Sequence, residues 1–126
     1  MNKKRRKILI GNHTFFLGED NILYITIVGE ITNKQVDMTV ETVTKLLGMV
    51  KKKVNVLVDI NKAGKPSVKT RNLVPEFQNN KKVGKTAIFG LTPVAKVIAS
   101  FAKGTAKNGD MRFCDTKELA IAWLKE

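Results

Sequence analysis

Ile22-Leu23-Tyr24-Ile25-Thr26-Ile27-Val28-Gly29-Glu30-Ile31-Thr32 is the stretch that decides the fold. Residues 22–28 are β-branched and apolar on both faces, the pattern of a strand inside a sheet rather than on its solvent face. Gly29 ends the run. Thr32 or Asn33 can then cap a helix, because either side chain accepts from the free amides of a first turn. Val36, Val40, Val43, Leu47 and Val50 follow at spacings of four and three, one apolar helical stripe. A buried strand passing directly into an amphipathic helix is the opening of a βαβ unit.

The pattern continues in both directions. Upstream, Asn12 to Leu17 and the turn cluster Gly18-Glu19-Asp20-Asn21 predict a hairpin onto the 22–28 strand. Downstream, Val54 to Ile60 is the next strand, leading into the polar loop Asn61-Lys62-Ala63-Gly64-Lys65-Pro66-Ser67. A helix is expected over about 68–79, with Pro75 kinking it or marking a late start. Residues 79–82 connect it to a third buried strand, Thr86 to Phe89, which ends at Gly90. Thr92-Pro93 reads as cap and first residue of a helix whose apolar face is Val94, Val97, Ile98 and Phe101. Asn108-Gly109 turns the chain into the short strand Met111 to Cys114. Asp115 or Thr116 caps a last helix with Leu119, Ala120, Trp123 and Leu124 on its buried face. The predicted order is ββαβαβαβα. That is an α/β fold with a mixed, mostly parallel sheet of about five strands and about four helices. It forms one domain over residues 12–126 behind a basic tip at residues 1–11.

The 126 residues suit a single core. One cysteine, Cys114, and one histidine, His13, exclude a disulfide framework and a cysteine-rich zinc module, so no metal site and no cofactor are expected. The net charge of +12 is the unusual feature, and it is uneven. Residues 1–7 hold five cations, residues 8–50 two Lys against five acids, and residues 51–85 ten cations against Asp59 and Glu76. Nineteen of the 23 cations are Lys, a poorer bidentate reader of bases and phosphates than Arg, so specific nucleic-acid readout gains no support. The tip Lys3-Lys4-Arg5-Arg6-Lys7 is followed by only Ile8-Leu9-Ile10, too short for a secretory signal, and no apolar run reaches the length of a membrane span. A cytoplasmic protein is expected. Its tip is either a solvated terminus or, through residues 3–7, a peripheral contact with phosphate or anionic lipid.

Several segments together resemble a known domain. Gly29-Glu30-Ile31-Thr32 opening a helix, the strand end Val56-Leu57-Val58-Asp59-Ile60, and Ala87-Ile88-Phe89-Gly90 resemble the STAS fold of sulfate transporters and anti-sigma-factor antagonists. The tail from Met111-Arg112-Phe113-Cys114-Asp115 through Glu118-Leu119-Ala120-Ile121-Ala122-Trp123-Leu124 resembles the closing segment of the anti-sigma-factor-antagonist-like branch. The resemblance covers about residues 12–126. It implies a non-catalytic regulatory or interaction module. Some members of that branch are likened to lipid-binding CRAL-TRIO domains, which implies a carrier of a lipid or other apolar molecule as an alternative. The antagonists carry an Asp-Ser pair whose Ser a partner kinase phosphorylates. Here Ser67 lies near the corresponding place, but Pro66 precedes it and the acidic residue is missing, which counts against such a switch; the modification, if kept, would fall on Ser67, and the plainer role of its hydroxyl is a helix cap.

No catalytic constellation emerges. Gly84-Lys85-Thr86 mimics the end of a phosphate-binding Walker loop, but position 79 is Asn and Thr86 opens a strand, not a helix. His13 has no paired acid, Cys114 in a short strand reads as a small buried hydrophobe, Asp59 as a loop cap or a partner of Lys, and Trp123 as core. The geometric signal is stronger. In a parallel sheet the carboxyl ends of the strands and the amino ends of the helices meet on one rim. Gly29–Thr32, Asn61–Ser67 and Gly90–Pro93 fall there. The candidate binding residues are Asn61, Lys62, Lys65, Ser67, Lys69, Arg71 and Thr92, and the expected partner is an acidic protein or an anionic or amphipathic small ligand. Lys51, Lys52 and Lys53, with Lys81, Lys82 and Lys85, precede strands and gather at the opposite end. Nonspecific nucleic-acid binding through charge is a third reading.

Overall fold

A computed structural model describes residues 7–65, 67–90 and 111–126. They form a six-stranded sheet whose spatial order is the chain order: β1 (Lys7–Ile10), β2 (His13–Leu17), β3 (Ile22–Gly29), β4 (Val54–Ala63), β5 (Val83–Phe89) and β6 (Met111–Cys114). β1, β2 and β3 pair antiparallel, and β3 through β6 pair parallel. The helices are α1 (Asn33–Leu47), α2 (Val68–Arg71), α3 (Leu73–Gln78) and α4 (Lys117–Leu124).

The expected βα alternation is present, and the differences have physical causes. Residues 1–11 are expected as a basic tip, yet Lys7 to Ile10 form a strand, because Ile8 and Ile10 turn toward the core while Gly11, at φ +58°, makes a two-residue hairpin turn with Asn12. The helix expected over 68–79 is two short helices. The Pro75 ring cannot pass the carbonyl of the residue four positions back, which is Arg71, where α2 ends. Leu119, expected in the buried face of the last helix, is 57% exposed; Ala120 and Leu124 are the buried pair. Thr32 and Gln35 form a reciprocal capping box on α1, and Thr116 caps α4. The helix read over Val94 to Phe101, with its cap at Thr92 and the turn at Asn108-Gly109, lies outside the described residues, as do residues 1–6.

Each face of the sheet carries a buried apolar cluster. Phe15, Leu23, Ile25, Val54, Val56, Val58 and Ile88 pack with Val36, Val43, Leu46 and Leu47 of α1 and Leu73 and Phe77 of α3. The opposite face carries a smaller cluster, Ile22, Leu57, Ala87, Phe89 and Cys114, under Ala120 and Leu124 of α4. Asn55 fastens this second layer. Its Nδ2 donates to the Leu124 carbonyl at 2.9 Å and its Oδ1 accepts from the Lys85 amide at 2.9 Å, beside the register shift between β4 and β5. Lys85 Nζ donates to the Trp123 carbonyl at 3.1 Å, and Lys85 and Arg112 lie over the Trp123 ring, 5.2 and 4.9 Å from its centroid. His13, 2% exposed, has a structural role: its Nδ1 accepts from the Val28 amide at 3.1 Å, near the β3–β4 register shift.

Two polar side chains, Asn55 half-buried and Thr86 buried, predict opposite outcomes. Asn55→Ala removes the partners of the Leu124 carbonyl and the Lys85 amide, and we expect a loss of about 1–3 kcal/mol in urea unfolding. Thr86 is 1% exposed and its hydroxyl finds no hydrogen-bond partner among the described residues, so Thr86→Val should raise stability by about 1 kcal/mol. Burial, followed by the hydrogen bond and charge of Asp20, pushes the Tyr24 phenol up to about 12. Tyr24 is the chain's single tyrosine, so phenolate absorbance reads it alone. Because the folded value lies above the ordinary 10, the contribution to stability is intact below pH 10 and declines as pH rises from 10 to about 12. In Asp20→Ala the absorbance midpoint should fall and still stay above that of free tyrosine, since burial remains.

Candidate functional site

The carboxyl ends of β3, β4 and β5 bring three turns side by side. β4 runs three residues further than its expected end at Ile60: beyond the register shift Lys62 pairs with Val28 and Ala63 with Gly29. Asn61 and Lys62 therefore stand on the end of a strand and not in a loop. The Gly64 amide donates to the Gly29 carbonyl at 2.8 Å, and a Cβ on Gly64 would lie 2.9 Å from the Glu30 amide nitrogen and 2.7 Å from Glu30 Cγ. Gly90, at φ +92°, packs as closely against Asn61, whose amide nitrogen would lie 2.6 Å from an added Cβ. Asn61 is held from below, its backbone amide and its Nδ2 both donating to Asp59 Oδ1 at 3.0 Å. Asp59 is thus a cap on the strand end.

Ser67 joins two helix starts. Its hydroxyl accepts from the Thr70 amide at 3.1 Å, capping α2, and donates to Oδ1 of Asn33, the first residue of α1, at 3.3 Å; it lies 3.0 Å from the Thr70 hydroxyl. Lys69 Nζ meets Asp37 Oδ1 at 2.8 Å. Both partners are exposed, so this pair adds little stability and mainly ties α2 to α1. Lys62, Lys65 and Arg71 are exposed on the same segment. The structure thus gathers Asn61, Lys62, Lys65, Ser67, Lys69 and Arg71 within one strand end, turn and short helix. Thr92 lies outside the described residues. Asn33 and Asp37 also belong to this rim and carried no signal of it in the sequence, because their partners Ser67 and Lys69 are some 30 residues away; Glu30, in the expected Gly29–Thr32 turn, lies against Gly64.

The strand order from β3 to β6 never reverses, so the rim has no crevice of the kind that opens where a parallel sheet changes winding direction. At the opposite end Lys51, Lys52, Lys53 and Lys81 are exposed, while Lys82 Nζ donates to the Val50 carbonyl and Lys85 is held by α4. Gly84-Lys85-Thr86 lies inside β5. Cys114 is 8% exposed; burial pushes its thiol up, Arg112 opposes and Asp115 adds to the rise, which leaves it a poor nucleophile. Among the described residues no three His, Cys, Asp or Glu side chains are grouped to hold a metal ion, and no helix is long and apolar enough to cross a membrane.

An antiparallel hairpin feeding a parallel βαβ run, with a short terminal helix on the second face, defines a STAS domain. The model of the SpoIIAA-like family matches residues 22–125, and the chain belongs to that family. Its structure is similar to that of the anti-sigma factor antagonist SpoIIAA in its unphosphorylated form, with a TM-score of 0.66 and 14% identity over 90% of this chain and 97% of that one. It is also similar to an uncharacterised protein with a SpoIIAA-like fold from Shewanella loihica, with a TM-score of 0.67 and 20% identity over 89% of this chain and 91% of that one. No curated protein matches in sequence. At these identities the fold is what the solved structures share with this chain.

The packing of the rim turns is testable at Gly64. A methyl group there meets backbone on the neighbouring turn, so Gly64→Ala should cost about 1–3 kcal/mol and shift the amide resonances of Gly29 and Glu30. An unchanged spectrum would mean that the turns are not in contact.

Proposed function

We propose that this chain is a non-catalytic interaction module that docks an acidic protein partner, or an anionic or amphipathic ligand, on the rim formed by residues 61–71. The observation that carries the reading is the rim itself. Lys62, Lys65 and Arg71 project from a segment held in place by Asn61–Asp59, Gly64–Gly29 and Ser67–Asn33 contacts, so the charge is presented on a fixed frame. Preorganised charge of this kind speeds encounter and selects sign more than it adds raw affinity. Lys62, Lys65 and Lys69 supply charge, and Asn61, Ser67 and Thr92 supply polar contacts. Phosphorylation of Ser67 would place a dianion against Lys69 and the Asn33 carbonyl group of its side chain, exchanging the cap for repulsion of an acidic partner.

The test is a pull-down with the tagged full chain at low and high salt, read for proteins and lipids together. Lys62→Glu/Lys65→Glu/Lys69→Glu should lose the captured partners at least tenfold (roughly the effect of removing several close charges), while Lys51→Glu/Lys52→Glu/Lys53→Glu keeps them. Equal retention by both variants would overturn the rim. A co-purifying lipid found by native mass spectrometry would favour the carrier reading, and retention of DNA or RNA falling steeply with salt in every variant would favour binding by bulk charge.

A further inference from the structure

The rim takes up Lys62, Lys65, Lys69 and Arg71 and leaves the amino-terminal cations without a role, and these adjoin an open sheet edge. Backbone pairing determines what that edge presents. The Gly18 amide donates to the Ile22 carbonyl, so the even-numbered residues of β2 direct their backbone groups toward β3. The odd ones, His13 and Phe15, then face β1, where their partners are Ile10 and Ile8. It follows that the N–H and C=O groups of Lys7 and Leu9 point outward, and among the described residues no strand pairs with them. The Leu9 side chain is 65% exposed and stands on the second face beside Thr14. Phe16 and Tyr24 continue that surface, half-buried, with ring centroids 6.2 Å apart. α4 packs over β4, β5 and β6 on this face, away from Leu9 and Phe16, while Tyr24 packs against the cluster it covers.

We propose that the outer edge of β1 is a docking strand for an extended acidic segment of another protein, added antiparallel to β1. Unpaired edges invite strand addition, and their neighbours decide what is admitted. Here the sequence places five cations, Lys3 to Lys7, at and immediately before the strand. In a chain of net charge +12 they disfavour a second copy and favour an acidic segment. The register gives the segment its pattern. Apolar residues pair with Leu9 and Ile8 and an acid pairs with Lys7, and further acids after it answer the cationic sequence that precedes the strand. This surface is separate from the 61–71 rim and does not depend on it.

The test uses the full chain and the peptide Ser-Val-Ile-Val-Asp-Glu-Asp-Glu with blocked termini, followed by fluorescence anisotropy and amide hydrogen exchange at physiological salt. Binding with slowed exchange at the Lys7 and Leu9 amides is expected, and it should persist when Lys62, Lys65 and Lys69 are reversed. Leu9→Pro removes an outward N–H that β2 does not use, a substitution edge strands tolerate, and should weaken binding about tenfold. The same loss is expected from a peptide with Pro in place of the Ile that pairs with Leu9, a comparison that leaves the protein's folding untouched. Equal binding of the two peptides, or protection confined to residues 61–71, would overturn the proposal. So would a stable dimer of the chain that Leu9→Pro converts to monomer, since the edge would then belong to a second copy.

Discussion

β4 lies in the middle of the sheet with apolar side chains on both faces, and both must be kept from water. Val54, Val56 and Val58 face α1 and α3, whereas Leu57 faces the other way. Two layers of helix are therefore required. The first is long and amphipathic. The second, α4, has eight residues and buries chiefly Ala120 and Leu124, so it needs help to stay in place. Asn55 provides it from within β4, bonding the last turn of α4 and the adjacent backbone of β5, and Lys85 and Arg112 hold the Trp123 ring. The polar contacts around α4 stabilise modestly one by one, and together they set where the helix sits.

That placement divides the second face. Over β4 to β6 it is dry; over β1 to β3 it carries Leu9, Phe16 and Tyr24 in partial contact with solvent. The first face, under the longer helix, extends its core out to Ile8 and Ile10 of β1. The hairpin is anchored from one side and open on the other, with His13 closing the gap at the β3 register shift by accepting from Val28. At the carboxyl ends of the parallel strands the same sheet presses three turns together at Gly29, Gly64 and Gly90.

Much of this was legible beforehand. The strand at Ile22–Val28, the stripe Val36–Val43–Leu47 and the caps at Thr32 and Ser67 are local features, carried by periodicity and by side chains that reach their own backbone. The rim segment was legible too, since its elements follow from strand direction. Asn55 was not. In the sequence it is one polar residue in an alternating strand, and its partners are 30 and 69 residues away. Leu119 misled for a related reason: an eight-residue helix offers several apolar positions, and the sheet beneath it has room for few.

The sequence by itself determined the alternation of strand and helix from Ile22 to Phe89, apart from the break at Pro75, and the segment on which the rim cations fall. Those properties depend on neighbours within a turn or two of the chain. Only the tertiary structure decided that Lys7–Ile10 joins the sheet as an edge strand, that Asn33 and Asp37 complete the rim, and that α4 covers half of the second face. Each of these depends on which side of a strand is already occupied, and that is settled by packing between residues far apart in the chain.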